Sequence, residues 1–237
     1  MIPMALSRRS TLRLSLTGGA GLLVAGAAPA AAGAAPVPSG PPSGPSAALK
    51  RLKKGNKRWR KYCSAHPNEG RARREELVGG QDPFALVLSC SDSRVPPELV
   101  FDQGLGDLFT VRPAGQVLDG AVLGSVAYAV HHLHVPLIAV LGHTSCGAVT
   151  AAVDVHRGAP MPEGHVRHLV EGILPVVEST PDTGEDFVDD CVAANARSIA
   201  DDLASDPELR EYVDSGRTRV VAARYHLDSS RVEFLED

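Results

Sequence analysis

Three side chains have the types and spacing that metal chemistry requires. Cys90 directly follows an apolar run at 84–89, and Gly142-His143-Thr144-Ser145-Cys146-Gly147 follows another at 136–141. Two thiolates and one imidazole from neighbouring strands can converge on one Zn²⁺ and leave a fourth position open. Three protein ligands plus water is the pattern of catalytic zinc, whereas structural sites are closed by four. Sulfur with imidazole also selects zinc over magnesium or calcium. Spacing alone leaves two plainer readings open: cysteines that are simply buried, and a histidine satisfied within its loop.

Something must hold these residues together. The runs at 84–89, 107–112 and 136–141 are short and continuously apolar, as expected for strands buried on both faces. The segment 120–134 between the last two is long enough for a crossover helix, which makes the strands parallel. Helical spacing also marks 47–62, 71–78, 147–156, 165–178 and 187–204. Asp206-Pro207-Glu208 looks like a helix start, with that helix running to Val213. Segments 218–224 and 231–235 read as strands around a turn, the last alternating like an edge strand. The expected fold is α/β, a mostly parallel central sheet flanked by helices, with an extended N-terminal helix and a C-terminal edge strand. Sites in such sheets form at the carboxyl ends of strands, where Cys90, His143 and Cys146 fall.

Before this domain come two other segments. Residues 1–35 hold Arg8, Arg9 and Arg13, then a Gly/Ala/Leu-rich run and an Ala-rich end, the layout of a cleaved export signal. Ser7-Arg8-Arg9-Ser10-Thr11-Leu12-Arg13 resembles a twin-arginine signal, so export to the cell envelope or medium is expected. Glycines, Thr17 and Pro29 weaken that run as a stable membrane span, which takes about 20 apolar residues. Residues 36–46 are a Pro/Ser/Gly linker, and 47–237 is the expected catalytic domain. The full chain has 24 basic and 28 acidic residues, and losing the three signal arginines leaves a formal charge of −7. A net acidic domain argues against nucleic acid as a partner. The basic cluster from Lys50 to Lys61 reads as a solvated or partner-facing helix surface.

Cys90-Ser91-Asp92-Ser93-Arg94-Val95-Pro96-Pro97-Glu98, together with the segment 142–147, resembles the zinc signature of β-class carbonic anhydrases. Leu52-Lys53-Lys54-Gly55-Asn56-Lys57-Arg58, Gly106–Arg112, Ser125–Val130 and Arg231–Leu235 extend the likeness over nearly all of the expected domain. The resemblance implies reversible hydration of carbon dioxide to bicarbonate, with Cys90, His143 and Cys146 as zinc ligands and Asp92–Arg94 as a dyad beside the metal. Zinc brings the pKa of a bound water toward about 7 and so supplies hydroxide near neutral pH. Asp92 would aim that oxygen, and Arg94 would keep Asp92 ionised and oriented. In some family members this aspartate instead closes the zinc site. Gln103 and Tyr128 match substrate-pocket residues of the open form, the glutamine reaching across a dimer. Homodimers or tetramers are therefore expected.

Pro113 and Gln116 depart from the family's two asparagines after Arg112, so the hydrogen bonding of that loop must differ. Gly115 remains there to permit a tight backbone path. His131, His132 and His134 read as surface residues at a helix end, and Cys63 and Cys191 as buried thiols rather than a disulfide. Two other functions fit the same residues: hydrolysis of carbonyl sulfide or carbon disulfide on this scaffold, and non-catalytic zinc binding.

Overall fold

The computed structural model describes residues 40, 42–184 and 186–235. The expected export signal at 1–35, and all of the linker at 36–46 but Gly40 and 42–46, lie outside the described residues. The elements run α1 (Pro45–Arg60), α2 (Arg71–Glu76), β1 (Ala85–Ser89), α3 (Pro97–Val100), β2 (Leu108–Val111), α4 (Gly120–His131), β3 (Leu137–His143), α5 (Gly147–His156), α6 (His165–Ser179), α7 (Phe187–Ser205), α8 (Arg210–Asp214), β4 (Arg219–His226) and β5 (Arg231–Phe234). Helix α1 starts two residues before the expected domain boundary because Pro45 stands at its first turn, where proline's fixed φ suits a helix and its missing N–H costs nothing. Among the described residues, no helix is long and apolar enough to cross a membrane.

The five strands lie in the order β2-β1-β3-β4-β5, with β5 antiparallel to β4 and all other pairs parallel. Every residue of β1 and β3 is buried, which explains their unbroken apolar runs. Successive side chains point to opposite faces, and each face has its own core. Ala85, Val87, Leu137, Ala139 and Leu141 pack under Leu49 and Leu52 of α1 and beside Phe101. Leu86, Leu88, Ile138 and Val140 pack on Val126 and Val130 of α4 and Ile199 and Leu203 of α7. Each fully buried Leu or Ile contributes about 1.5–3 kcal/mol, so the two central strands are firmly anchored in the core. They diverge in connectivity, β1 leading to one edge and β3 away from it, and a switch point opens at their carboxyl ends.

Helix α1 fastens to this sheet through specific polar and close contacts. Gly55 lets α1 approach so closely that a Cβ there would lie 1.7 Å from the carbonyl oxygen of Phe101. Buried Asn56 donates to the carbonyls of Val100 (3.1 Å) and Ser230 (3.0 Å) and accepts from the amide of Val232 (2.9 Å). It thereby covers part of the open edge of β5. We expect Asn56→Ala to destabilise the protein by about 2–3 kcal/mol, because a buried amide left without its partner carries its full desolvation cost. Urea unfolding would measure this, and an unchanged midpoint would contradict it.

The basic stretch of α1 is only partly a solvated surface. Arg58 binds the carboxylate of Asp102, and Arg51 reaches Asp107 at 3.1 Å and the Gln103 side-chain oxygen at 2.9 Å. The remaining basic residues, Lys50, Lys53, Lys54, Lys57, Arg60 and Lys61, are exposed. A concavity of about 550 Å³ lies between α1 and β5. None of the residues proposed for chemistry lines it.

Candidate metal centre

Cys90 leaves the end of β1, His143 is the last residue of β3, and Cys146 stands just before α5. Parallel pairing of Ser89 with Leu141 sets the two strand ends side by side. The result is a cluster in which one ligand atom from each of the three residues lies within 4.8 Å of the others, all three residues buried. Among the described residues it is the one group of histidine, cysteine and carboxylate side chains with that arrangement. It sits in a third apolar cluster with Val117, Val149, Ile173 and Val192.

The donor set fits zinc. His143 Nδ1 donates to the carbonyl of Thr144 at 3.0 Å, since a carbonyl can only accept. That bond fixes the tautomer and leaves Nε2 with a bare lone pair. Nε2 is buried with no partner, a costly state that a cation relieves. Cys90 is held down at about 4, first by the Cys146 thiol donating to it, against burial, and then by His143 and the amide of Gly115. Cys146 is pushed up by the same hydrogen bond and by burial. With two buried sulfurs this close, a divalent cation is what lets both ionise. Burial pulls His143 down, but the nearby Cys90 sulfur, its bond to Thr144 and the Asp92 carboxylate leave it raised.

Beside this group lies a carboxylate clasped by a guanidinium. Arg94 Nε and Nη2 donate to the two oxygens of Asp92 at 3.0 and 2.7 Å, and the Arg94 amide adds a third bond at 2.8 Å. Asp92 Oδ2 is 3.8 Å from His143 Nε2. Its pKa falls to about 2, chiefly through the Arg94 side chain and against some desolvation. The carboxylate is therefore ionised throughout the neutral range.

A sequence profile of the family described as carbonic anhydrase matches residues 85–232. The chain belongs to the carbonic anhydrase family. Carbonic anhydrase 2 of Mycobacterium tuberculosis is 43% identical over 188 residues, an alignment covering 79% of this chain and 91% of that one. The solved β-carbonic anhydrase CcaA superposes with a TM-score of 0.60 at 27% identity, covering 79% of this chain and 95% of that one. A tetrameric β-carbonic anhydrase from Sordaria macrospora shares the fold, with a TM-score of 0.64 at 22% identity over 80% of this chain and 97% of its own. The β-class expectation and the α/β architecture stand together.

Within one chain, the two pocket residues expected from the family likeness do not join the cluster. Gln103 is buried, its amide nitrogen donating to the carbonyls of Phe101 (2.8 Å) and Asp102 (2.9 Å) and its oxygen accepting from Arg51. Tyr128 is half exposed on α4, its ring 5.0 Å from that of His132 and 6.3 Å from that of Phe109. The loop carrying Pro113 and Gln116 finds its polar partner elsewhere: Asn195 of α7 donates to the Gly115 carbonyl at 3.0 Å. Gly115 itself has φ 63 and donates to Cys90 Sγ at 3.4 Å, in a left-handed conformation that glycine adopts without strain.

Arg112, just past the end of β2, has a role that the sequence alone does not show. Its Nε and Nη2 donate to the carbonyls of Cys90 (3.1 Å) and Asp92 (2.7 Å), fixing the strand end that carries both. The available signal was an arginine at the carboxyl end of the strand next to β1. Cys63 and Cys191 are free thiols, but against expectation only Cys191 is buried; Cys63 lies exposed just past the end of α1. His131 donates to the Glu208 carbonyl at 2.9 Å and stacks on Tyr212, a surface role as expected.

Proposed function

We propose that the protein catalyses the reversible hydration of carbon dioxide to bicarbonate and a proton, with Zn²⁺ held by Cys90, His143 and Cys146. The carrying observation is the buried Cys₂His cluster with an ionised, clasped carboxylate 3.8 Å from its imidazole. When bound, zinc supplies a Lewis acid that brings the pKa of water toward about 7. Asp92 accepts a hydrogen bond from the attacking water and turns the oxygen's lone pair toward the carbon of CO₂. Arg94 keeps Asp92 from rotating and from taking up a proton. Arg112 holds the backbone on which both Cys90 and Asp92 are mounted. A bond forms between the water oxygen and the CO₂ carbon, and the displaced proton leaves to solvent. Both oxygens of Asp92 are engaged by Arg94, which supports an open rather than an Asp92-closed site.

Dimers, or tetramers built from them, fit the same reading. Strand β2 lies at the sheet edge with Leu108, Phe109 and Val111 only partly buried, and Leu105 and Tyr128 are exposed nearby. Across such an interface Tyr128 would be available to a neighbouring pocket. Gln103, with both amide atoms engaged, suits that role less well. The paired arginines at Arg8 and Arg9 and the apolar run after them support export by the twin-arginine route, which the N-terminal sequence of the mature protein would test.

Stopped-flow CO₂ hydration, read beside metal content, tests the central proposal. The expected result is one zinc per chain, fast hydration, loss of the rate on chelation and recovery on adding zinc. A zinc-loaded protein that fails to hydrate CO₂ even at alkaline pH would overturn it. Turnover of carbonyl sulfide or carbon disulfide would then mark the scaffold's other chemistry.

A further inference from the structure

The loop from His143 to Cys146 carries two of the three metal ligands, and its two halves are held differently. On the His143 side, strand β4 does the work: the Thr144 amide donates to the Tyr225 carbonyl at 2.9 Å, and Thr144 Oγ1 accepts from the Leu227 amide at 3.0 Å. On the Cys146 side stands Ser145, exposed and with φ 55. For a residue with a Cβ this left-handed conformation is strained and persists where the surroundings over-determine it. Two contacts do so. The Ser145 amide donates to Asp189 Oδ1 at 3.1 Å, and its carbonyl accepts from Arg94 Nη2 at 3.4 Å.

We infer that Asp189, on α7, is a positioning residue for the metal-binding loop, and that Arg224 fixes the segment that carries it. Arg224 Nη1 donates to the Asp189 backbone carbonyl at 3.1 Å, while its Nη2 binds Glu233 of β5 at 3.0 Å. The first turn of α7 is thereby tied to the β4–β5 edge, and the Asp189 side chain is left to grip Ser145. The gripped residue, Ser145, adjoins Cys146, a ligand, and through its carbonyl meets Arg94, which clasps Asp92. Releasing it lets the Cys146 sulfur and the Asp92 clasp drift together. A shift of about 1 Å at such a place can cost 100-fold in rate. The inference rests on the zinc reading above.

A plainer role exists for Asp189: an acidic residue in the first turn of a helix favours the helix dipole. Asparagine separates the two, because it loses the charge and keeps the acceptor oxygen. The experiment compares the full-length protein with Asp189→Ala and Asp189→Asn, by chelator competition for zinc, by the visible absorption of the Co²⁺-loaded forms, and by kcat and KM. In Asp189→Ala the zinc dissociation constant is expected to rise about 10-fold, the lower end for loss of a partner behind the direct ligands. Its Co²⁺ bands shift, and kcat falls with KM little changed. Asp189→Asn should stay within about twofold of wild type in all three, since its oxygen accepts the same bond. Wild-type zinc affinity and spectrum in Asp189→Ala would overturn the inference, as would equal losses in both variants. A wild-type chain that takes up no zinc would instead defeat the reading beneath it.

Discussion

Cys146→Ala is expected to leave a folded protein that no longer retains zinc and no longer hydrates CO₂. Removing a group that merely supports a metal ligand costs about 10–100-fold in affinity or activity, so removing a direct ligand should cost more than 100-fold in zinc affinity. The rate should fall in proportion to the metal lost. The fold itself has little at stake. Cys146 stands at the N-cap of α5 with the Ala148 and Val149 amides close to its sulfur, so alanine gives up weak contacts at one helix end and leaves the cores on both sheet faces intact. Metal content by mass spectrometry under native conditions, circular dichroism and stopped-flow hydration together decide the outcome. Full zinc occupancy in this variant would show that the cluster is not the metal site.

The readable parts of this molecule are those in which burial imposes a pattern. Strands β1 and β3 announce themselves because both of their faces are covered, which leaves runs of apolar residues with no polar interruption. Once those strands are parallel, the rule that sites form at their carboxyl ends points to Cys90, His143 and Cys146 without a structure. Asp92 and Arg94 were legible only by resemblance, since an Asp-x-Arg turn by itself is an ordinary loop ion pair. Arg112 and Asp189 act by hydrogen-bonding to the backbone of distant segments, an interaction that leaves no periodicity behind. Arg51 and Arg58 fail for a related reason. Each looks like a member of a solvated basic face, yet each meets a buried aspartate from the segment following α3. Helix α3, four residues opened by Pro97, is too short to show helical spacing.

Asp92→Ala should separate metal binding from chemistry. The carboxylate is not among the three residues whose ligand atoms cluster, and its polar contacts are with Arg94 and, at 3.8 Å, with His143. Zinc content should therefore stay at the wild-type level. Stability should change by no more than about 1 kcal/mol, because the Arg94 side chain is half exposed and water takes over from the lost partner. The rate is where the loss falls. A positioned acid–base group contributes about 100-fold to 10,000-fold, and the proposed role of Asp92 is to orient the attacking water. We expect kcat to drop at least about 100-fold on that basis. The pH profile supplies a second, independent readout. Arg94 holds Asp92 at about 2, so its carboxylate is ionised at every pH at which the enzyme is assayed. Removing it should lower the whole neutral-to-alkaline profile by a constant factor without moving its midpoint. A displaced midpoint at unchanged zinc content would mean that Asp92 sets the ionisation of the reacting water rather than its orientation.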